Sequence, residues 1–243
     1  MTERVLVIGG TRGTGLEIVR RLVEDGYRVR ALARREPVAR GRLGAAVEVV
    51  PGDVREAPTL KAAARGVDHI IFTAGVTKRP AGERVIRETN YDGIRNALAA
   101  SRDEGVPGRF LYMTSIGVTR FSPLAASLNL VKRRTLYWRR LAEELVRESG
   151  LSYTIVRAGV LMNDAPGRRP VQVSQNDYPL RFRYRVGRAD VASVFVLALK
   201  HPRTPFTTFD VVWGRKGFRE AVEAQLDHLK TDRERASRAS RGR

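Results

Sequence analysis

The chain opens on an unbroken apolar run, Val5-Leu6-Val7-Ile8, that stops at a cluster of glycines. Four apolar residues without polar alternation suit a strand buried on both faces of a parallel sheet. Beyond Gly9-Gly10-Thr11-Arg12-Gly13-Thr14-Gly15 the period changes. Leu16, Val19 and Val23 recur at helical spacing and place one apolar face on a helix that ends at Gly26. Further apolar runs predict strands over 27–33, 47–54, 67–75, 109–115, 152–157 and 208–213. Helical patterns lie between them, over 58–65, 91–100, 131–149 and 190–200, with a last one over 218–229. Strand and helix alternate through the first half of the chain, which implies an α/β fold: a doubly wound, mostly parallel Rossmann sheet with helices on both faces. Ligands of such sheets bind at the carboxyl ends of the strands.

The strand, glycine turn and helix at the start carry a specific chemistry. Gly9 permits the tight turn out of the strand, Gly13 lets backbone N–H groups approach a pyrophosphate, and Gly15 lets the helix pack closely on the sheet. The helix N-terminus adds partial positive charge. With Thr11, Arg12 and Thr14 in the same turn, the segment reads as a dinucleotide-binding site. After the second strand comes Arg34-Arg35, where many NAD-binding proteins carry an acid for the ribose 2′-hydroxyl. Arginines there, with Arg12, can fork onto a 2′-phosphate, so NADP(H) is expected over NAD(H). The alternative is that Arg34 and Arg35 belong only to a basic surface.

Asp53, at the end of the third strand, either contacts the adenine amino group or caps the following helix. Ala74 and Gly75 leave room for a cofactor ribose or simply make a turn. Ser115 ends a strand where a hydroxyl can reach a substrate carbonyl, although serine also ends strands without chemical purpose. The apolar stretch 123–130 is too short to span a membrane and is expected to line a pocket or a subunit contact. The Gly, Pro and Asn-rich stretch 158–188 is the natural substrate lobe.

One Rossmann domain is expected over 1–229, with a basic tail over 230–243 that has little to bury and is expected to be disordered. The sequence has no cysteine and only three histidines, which argues against disulfides, a thiol nucleophile or a metal site. Neither a signal peptide nor a membrane span is read, so the cytoplasm is the default expectation. The net charge of +19 would suit a polyanion. Only six of the 45 basic residues are lysines, however, and the arginines are scattered through every element. An arginine-rich solvated surface explains them better than a nucleic-acid partner.

Taken together the segments Gly52-Asp53-Val54, Thr73-Ala74-Gly75, Asn90-Tyr91-Asp92-Gly93, the run from Glu143 through Ser149-Gly150 to Gly159, and Arg188-Ala189-Asp190-Val191-Ala192 resemble the atypical short-chain dehydrogenase/reductases, the branch of NmrA-like and biliverdin/flavin reductase-like proteins. The resemblance implies cofactor contacts at Val54 and Thr73, an approach of Arg157-Ala158-Gly159 to the nicotinamide, and a possible homodimer. Catalytic members of the superfamily use Tyr-x-x-x-Lys, which is missing. Aligned on Glu143, the lysine position falls on Arg139 and the tyrosine position on Thr135. Ser115, Tyr137 and Arg139 are therefore the candidate catalytic groups. The expected activity is hydride transfer from NADP(H) to a small organic, flavin or quinone acceptor, which needs no tyrosine-lysine pair. The alternative is a non-catalytic NADP(H)-binding sensor or assembly protein.

Overall fold

The computed structural model describes residues 2–76, 81–215, 217–218 and 220–241. The opening apolar run forms β1 (Arg4–Ile8), and its two-residue alternation explains why every position is apolar. Val5 and Val7 face one layer, with Ile18, Val19 and Leu22 of α1 (Gly13–Glu24) and Phe195 of α8 (Arg188–Lys200). Leu6 and Ile8 face the other, with Leu60 of α3 (Ala57–Ala64) and Ile94 and Leu98 of α5 (Gly93–Asp103). Hydrophobic cores thus lie on both faces of one sheet.

The remaining strands are β2 (Arg28–Ala33), β3 (Val47–Pro51), β4 (His69–Phe72), β5 (Phe110–Ser115), β6 (Tyr153–Ala158), β8 (Val171–Ser174) and β10 (Thr207–Trp213). Their order across the sheet is β3-β2-β1-β4-β5-β6-β10-β8. All pairs are parallel except β10 with β8. β1 pairs Val5 with Val29 on one side and with His69 on the other, so the strand order reverses there and opens a crevice at its carboxyl end. A short parallel pair, β7 (Val160–Met162) with β9 (Arg185–Gly187), lies within the stretch 158–188 read as the substrate lobe.

Three segments differ from the sequence expectation. The helix expected over 91–100 starts earlier, as α4 (Glu83–Arg87), and passes through a π-helical turn (Glu88–Asp92) into α5. The stretch 123–130 is itself a helix, α6 (Pro123–Val131), started by Ser122, whose hydroxyl accepts from the Ala125 N–H, and by Pro123 in the first turn. It is separated from α7 (Thr135–Arg147) by Arg133 and Arg134, both at positive φ. The basic tail, expected to be disordered, forms α10 (Asp232–Arg241), following α9 (Val222–Asp227). The reason is an acid: Asp232 accepts from the Tyr153 hydroxyl at 2.9 Å, the Thr208 hydroxyl at 2.6 Å and Arg147 at 3.2 Å, which ties the helix to the sheet. Gly242 and Arg243 lie outside the described residues. Between β2 and β3 lies α2 (Glu36–Leu43).

Candidate functional site

At the reversal of strand order, the carboxyl ends of β1, β2 and β4 surround a cavity of about 660 Å³. The turn from β1 into α1 forms its floor. A Cβ on Gly15 would stand 2.2 Å from the Gly9 carbonyl oxygen, and Gly9 itself has φ of +94°, so neither position accepts a larger residue without moving the turn. The Thr73 hydroxyl donates to the Ile8 carbonyl at 3.1 Å and locks β4 against the same turn.

Several features of this turn fit a phosphate-bearing ligand. No acid occupies the first turn of α1, and no side chain caps it. Its first N–H groups therefore have no side-chain cap from the N-cap residue, Arg12. The buried Thr14 hydroxyl also lacks a hydrogen-bond partner. The wall above is cationic: Arg12, Arg34, Arg55, Arg139 and Arg188 line the cavity, against one lining carboxylate, Asp53, among the described residues. Arg55 grips Asp53 through two bonds of 3.1 and 2.8 Å, which holds that carboxyl below the ordinary range and keeps it ionised. Arg34 stands 4.0 Å from Asp53 and is mostly exposed, free to turn to an anion.

Of the expected positions, Gly9, Thr11, Arg12, Gly13, Thr14, Gly15, Arg34, Asp53, Val54, Thr73, Ala74, Gly75 and Arg139 line this cavity. Arg139 reaches it because Gly75 makes room: a Cβ there would stand 2.9 Å from the guanidinium. Arg35, Ser115, Tyr137, Arg157, Ala158 and Gly159 are outside the lining. Ser115 donates to the neighbouring Ile116 carbonyl at 3.0 Å. Tyr137 packs on Trp138 at 5.2 Å between ring centres, with Arg134 4.2 Å above its ring. Tyr137 and Arg139 are two residues apart on α7, hence about 200° apart around the helix, so one of them faces away. Thr135, at the position of the missing tyrosine, is buried and accepts from the Asn90 side-chain amide at 3.1 Å.

Arg157 turns away from the cavity for an electrostatic reason. It donates to both oxygens of the fully buried Glu143 at 3.0 and 2.7 Å, and to Asp177 at 2.7 Å. Burial works against its charge, but Glu143 and the nearby Asp177 and Asp210 outweigh it and raise its pKa. Ala158 is buried in the core, and Gly159 packs under the Tyr184 carbonyl.

Met113, Leu161, Asn163, Arg188 and Arg55 also line the cavity and are not among the expected site residues. Arg188 leaves the start of α8, donates to Asn163, and lies against Gly13, 3.6 Å from where a Cβ would stand. Its only sequence signal was membership of the Arg188-Ala189-Asp190 segment. Asp190 is buried, accepting from the Gly167 N–H and the Trp213 indole, and so fixes the start of that helix.

The fold and this cavity define a Rossmann-type dinucleotide-binding domain. The pattern of the NAD(P)H-binding family matches residues 9–202. The chain belongs to that family, on its atypical short-chain dehydrogenase/reductase-like side, among reductase-like NAD(P)-binding proteins. Sanguinarine reductase of Eschscholzia californica is 28% identical over 255 residues, covering 90% of this chain and 92% of that one. The photosystem II assembly factor Ycf39 of Cyanophora paradoxa is 28% identical over 153 residues, 63% of this chain and 44% of that one. A solved putative NAD-dependent epimerase/dehydratase of Bacillus halodurans, 25% identical, superposes with a TM-score of 0.76 over 93% of this chain and 100% of that one.

Proposed function

We propose that this protein is an NADP(H)-dependent oxidoreductase that passes hydride to a flavin, quinone or other small organic acceptor. The observation that carries the proposal is the arginine-lined cavity over an uncapped helix N-terminus. The glycine turn and Thr14 would hold the pyrophosphate, and Arg12 and Arg34 the 2′-phosphate. Arg139, at the position of the missing lysine, would hold the ribose by hydrogen bonds. Its charge is permanent, so it cannot trade protons with a substrate. The nicotinamide, when bound, supplies the hydride.

The described cavity lining holds no tyrosine, histidine or lysine. Of its ionisable groups, the arginines stay charged and Asp53 is held ionised by Arg55. An acceptor that takes its proton from water fits this wall better than a carbonyl that needs an enzymic acid. The same lack of an acid favours the second reading, a non-catalytic NADP(H)-binding regulator or assembly protein, and a relative bearing the name of an assembly factor is in keeping with it.

The test is a binding titration with NADPH and NADH, then nicotinamide absorbance with a panel of flavins and quinones. Arg34→Ala is expected to weaken NADPH by about tenfold or more while leaving NADH unchanged, since a charge-assisted hydrogen bond contributes roughly 1.5–3 kcal/mol. Unchanged NADPH affinity would remove Arg34 from the 2′-phosphate site. Tight binding without oxidation across the panel would favour the regulator.

A further inference from the structure

We propose that the outer face of α6, with the adjoining Phe121 and Phe182, docks this protein on an anionic membrane surface. This goes beyond the cofactor reading and does not depend on it. Charged residues make up 29% of the chain, yet the nine residues of α6 carry none. Its inner side is accounted for: Ala125 is buried, and Leu124 and Leu128 pack on the cluster of Ile116, Val118, Leu136 and Leu180. The outer side is not. Leu130 is 81% exposed and Val131 52%.

Phe121, 80% exposed, stands just before the helix, and Phe182, 64% exposed, lies two residues beyond Leu180. One side chain holds them together: the Ser122 hydroxyl caps α6 and also donates to the Leu180 carbonyl at 2.8 Å. That bond fixes the segment carrying Phe182 to the residue after Phe121. Four of the seven most exposed large apolar residues described are therefore on or next to one short helix. Solvated surfaces scatter such residues singly, and their gathering marks a contact site.

The surroundings select the partner. Arg120 precedes the helix, Lys132, Arg133 and Arg134 follow it, and Arg181 and Arg183 flank Phe182. No acid occurs in the sequence between Glu104 and Glu143, or between Asp177 and Asp190. Arg134 stands 3.7 Å from Glu83, an acid on another helix. A second copy of this chain would bring two cationic rims together, which like-charge repulsion opposes. An anionic bilayer supplies phosphates for the guanidinium groups and an apolar layer for Phe121, Leu130, Val131 and Phe182. At 1.5 Å per residue the helix is about 14 Å long, so it lies in the interface and does not cross. α6 leaves the carboxyl end of β5 and leads into α7, which carries Arg139 to the cavity. Docking therefore sets the cavity edge of the sheet beside the bilayer.

The experiment is flotation of the full chain with phosphatidylcholine vesicles, with and without phosphatidylglycerol, at about 0.15 M salt, where long-range charge attraction is screened. A triple variant, Phe121→Ser, Leu130→Gln, Phe182→Ser, is run beside it. All three side chains are exposed, so its melting curve should match that of the parent. The parent is expected on anionic vesicles only, and the variant is expected to lose tenfold or more of that binding. Equal binding of variant and parent would overturn the proposal, since the charge of +19 alone would then explain adsorption. Absence of parent binding would overturn it as well. A concentration-dependent dimer that the variant abolishes, without vesicle binding, would reassign the face to a protein contact.

Discussion

Replacing Glu143 by Gln tests whether the buried ion pair at the end of β6 holds the sheet to α7. The carboxylate is fully buried and takes three charged hydrogen bonds, two from Arg157 and one from Arg147 at 2.8 Å. Gln preserves the shape and removes the charge, which leaves the Arg157 guanidinium in a low-dielectric site. Breaking such a pair from one side costs about 3–5 kcal/mol. Arg157 keeps Asp177 as a partner, so the lower end, about 3 kcal/mol, is the expected cost. For a domain of this size each kcal/mol moves Tm by roughly 2–4 °C, so the variant should melt about 6–12 °C below the parent. Circular dichroism against temperature, repeated with urea, measures it. The double variant Glu143→Gln, Arg157→Met should recover part of the loss, because no unpaired cation then remains. A drop of under about 2 °C in the single variant, or a double variant as unstable as the two singles summed, would refute this account.

Arg188→Ala should weaken NADPH and NADH alike, by about tenfold, since Arg188 lies over Gly13 in the glycine turn and not beside Arg34. Calorimetric titration of both cofactors separates this from the Arg34 effect, and loss of NADPH alone would move Arg188 to the 2′-phosphate. Burial raises the Asp210 carboxyl from its ordinary value to about 6, against the opposing pull of the Tyr178 N–H and Arg157. The folded state then holds a proton that the unfolded chain has released. Stability from this group is full below about pH 4 and lost as pH rises through 6. Asp210→Asn should therefore gain on the parent between pH 4 and 7, by on the order of 3 kcal/mol in urea midpoints converted to free energy, and parallel pH curves would show that the carboxyl is not perturbed.

The elements legible in the sequence are those whose signal is local. β1 shows as an apolar run because both of its faces are covered, and the glycine turn shows because a side chain at Gly15 would meet the Gly9 carbonyl. α6 is not legible as a helix although Ser122 and Pro123 mark its start, because its exposed leucine and valine break the expected inward-apolar, outward-polar pattern. The roles of Arg157 and Asp232 were not legible at all. Each depends on a partner brought from another element: Glu143 on α7 for the first, and Tyr153, Thr208 and Arg147 for the second. The absence of Tyr-x-x-x-Lys is legible in the sequence, but the phase of α7 is what puts Arg139, and not Tyr137, at the cavity.

The order of the strands also sets a timetable for synthesis. β8 is made before β10 but touches the sheet only through it, pairing Val173 with Val211. Until β10 has left the ribosome, β6 stands as an open edge and β8 has nowhere to dock. α10 comes later still, and its Asp232 fastens both β6 and β10 through Tyr153 and Thr208. A chain interrupted before residue 207 thus leaves the nascent sheet open at β6, the kind of edge that invites pairing with a neighbouring chain.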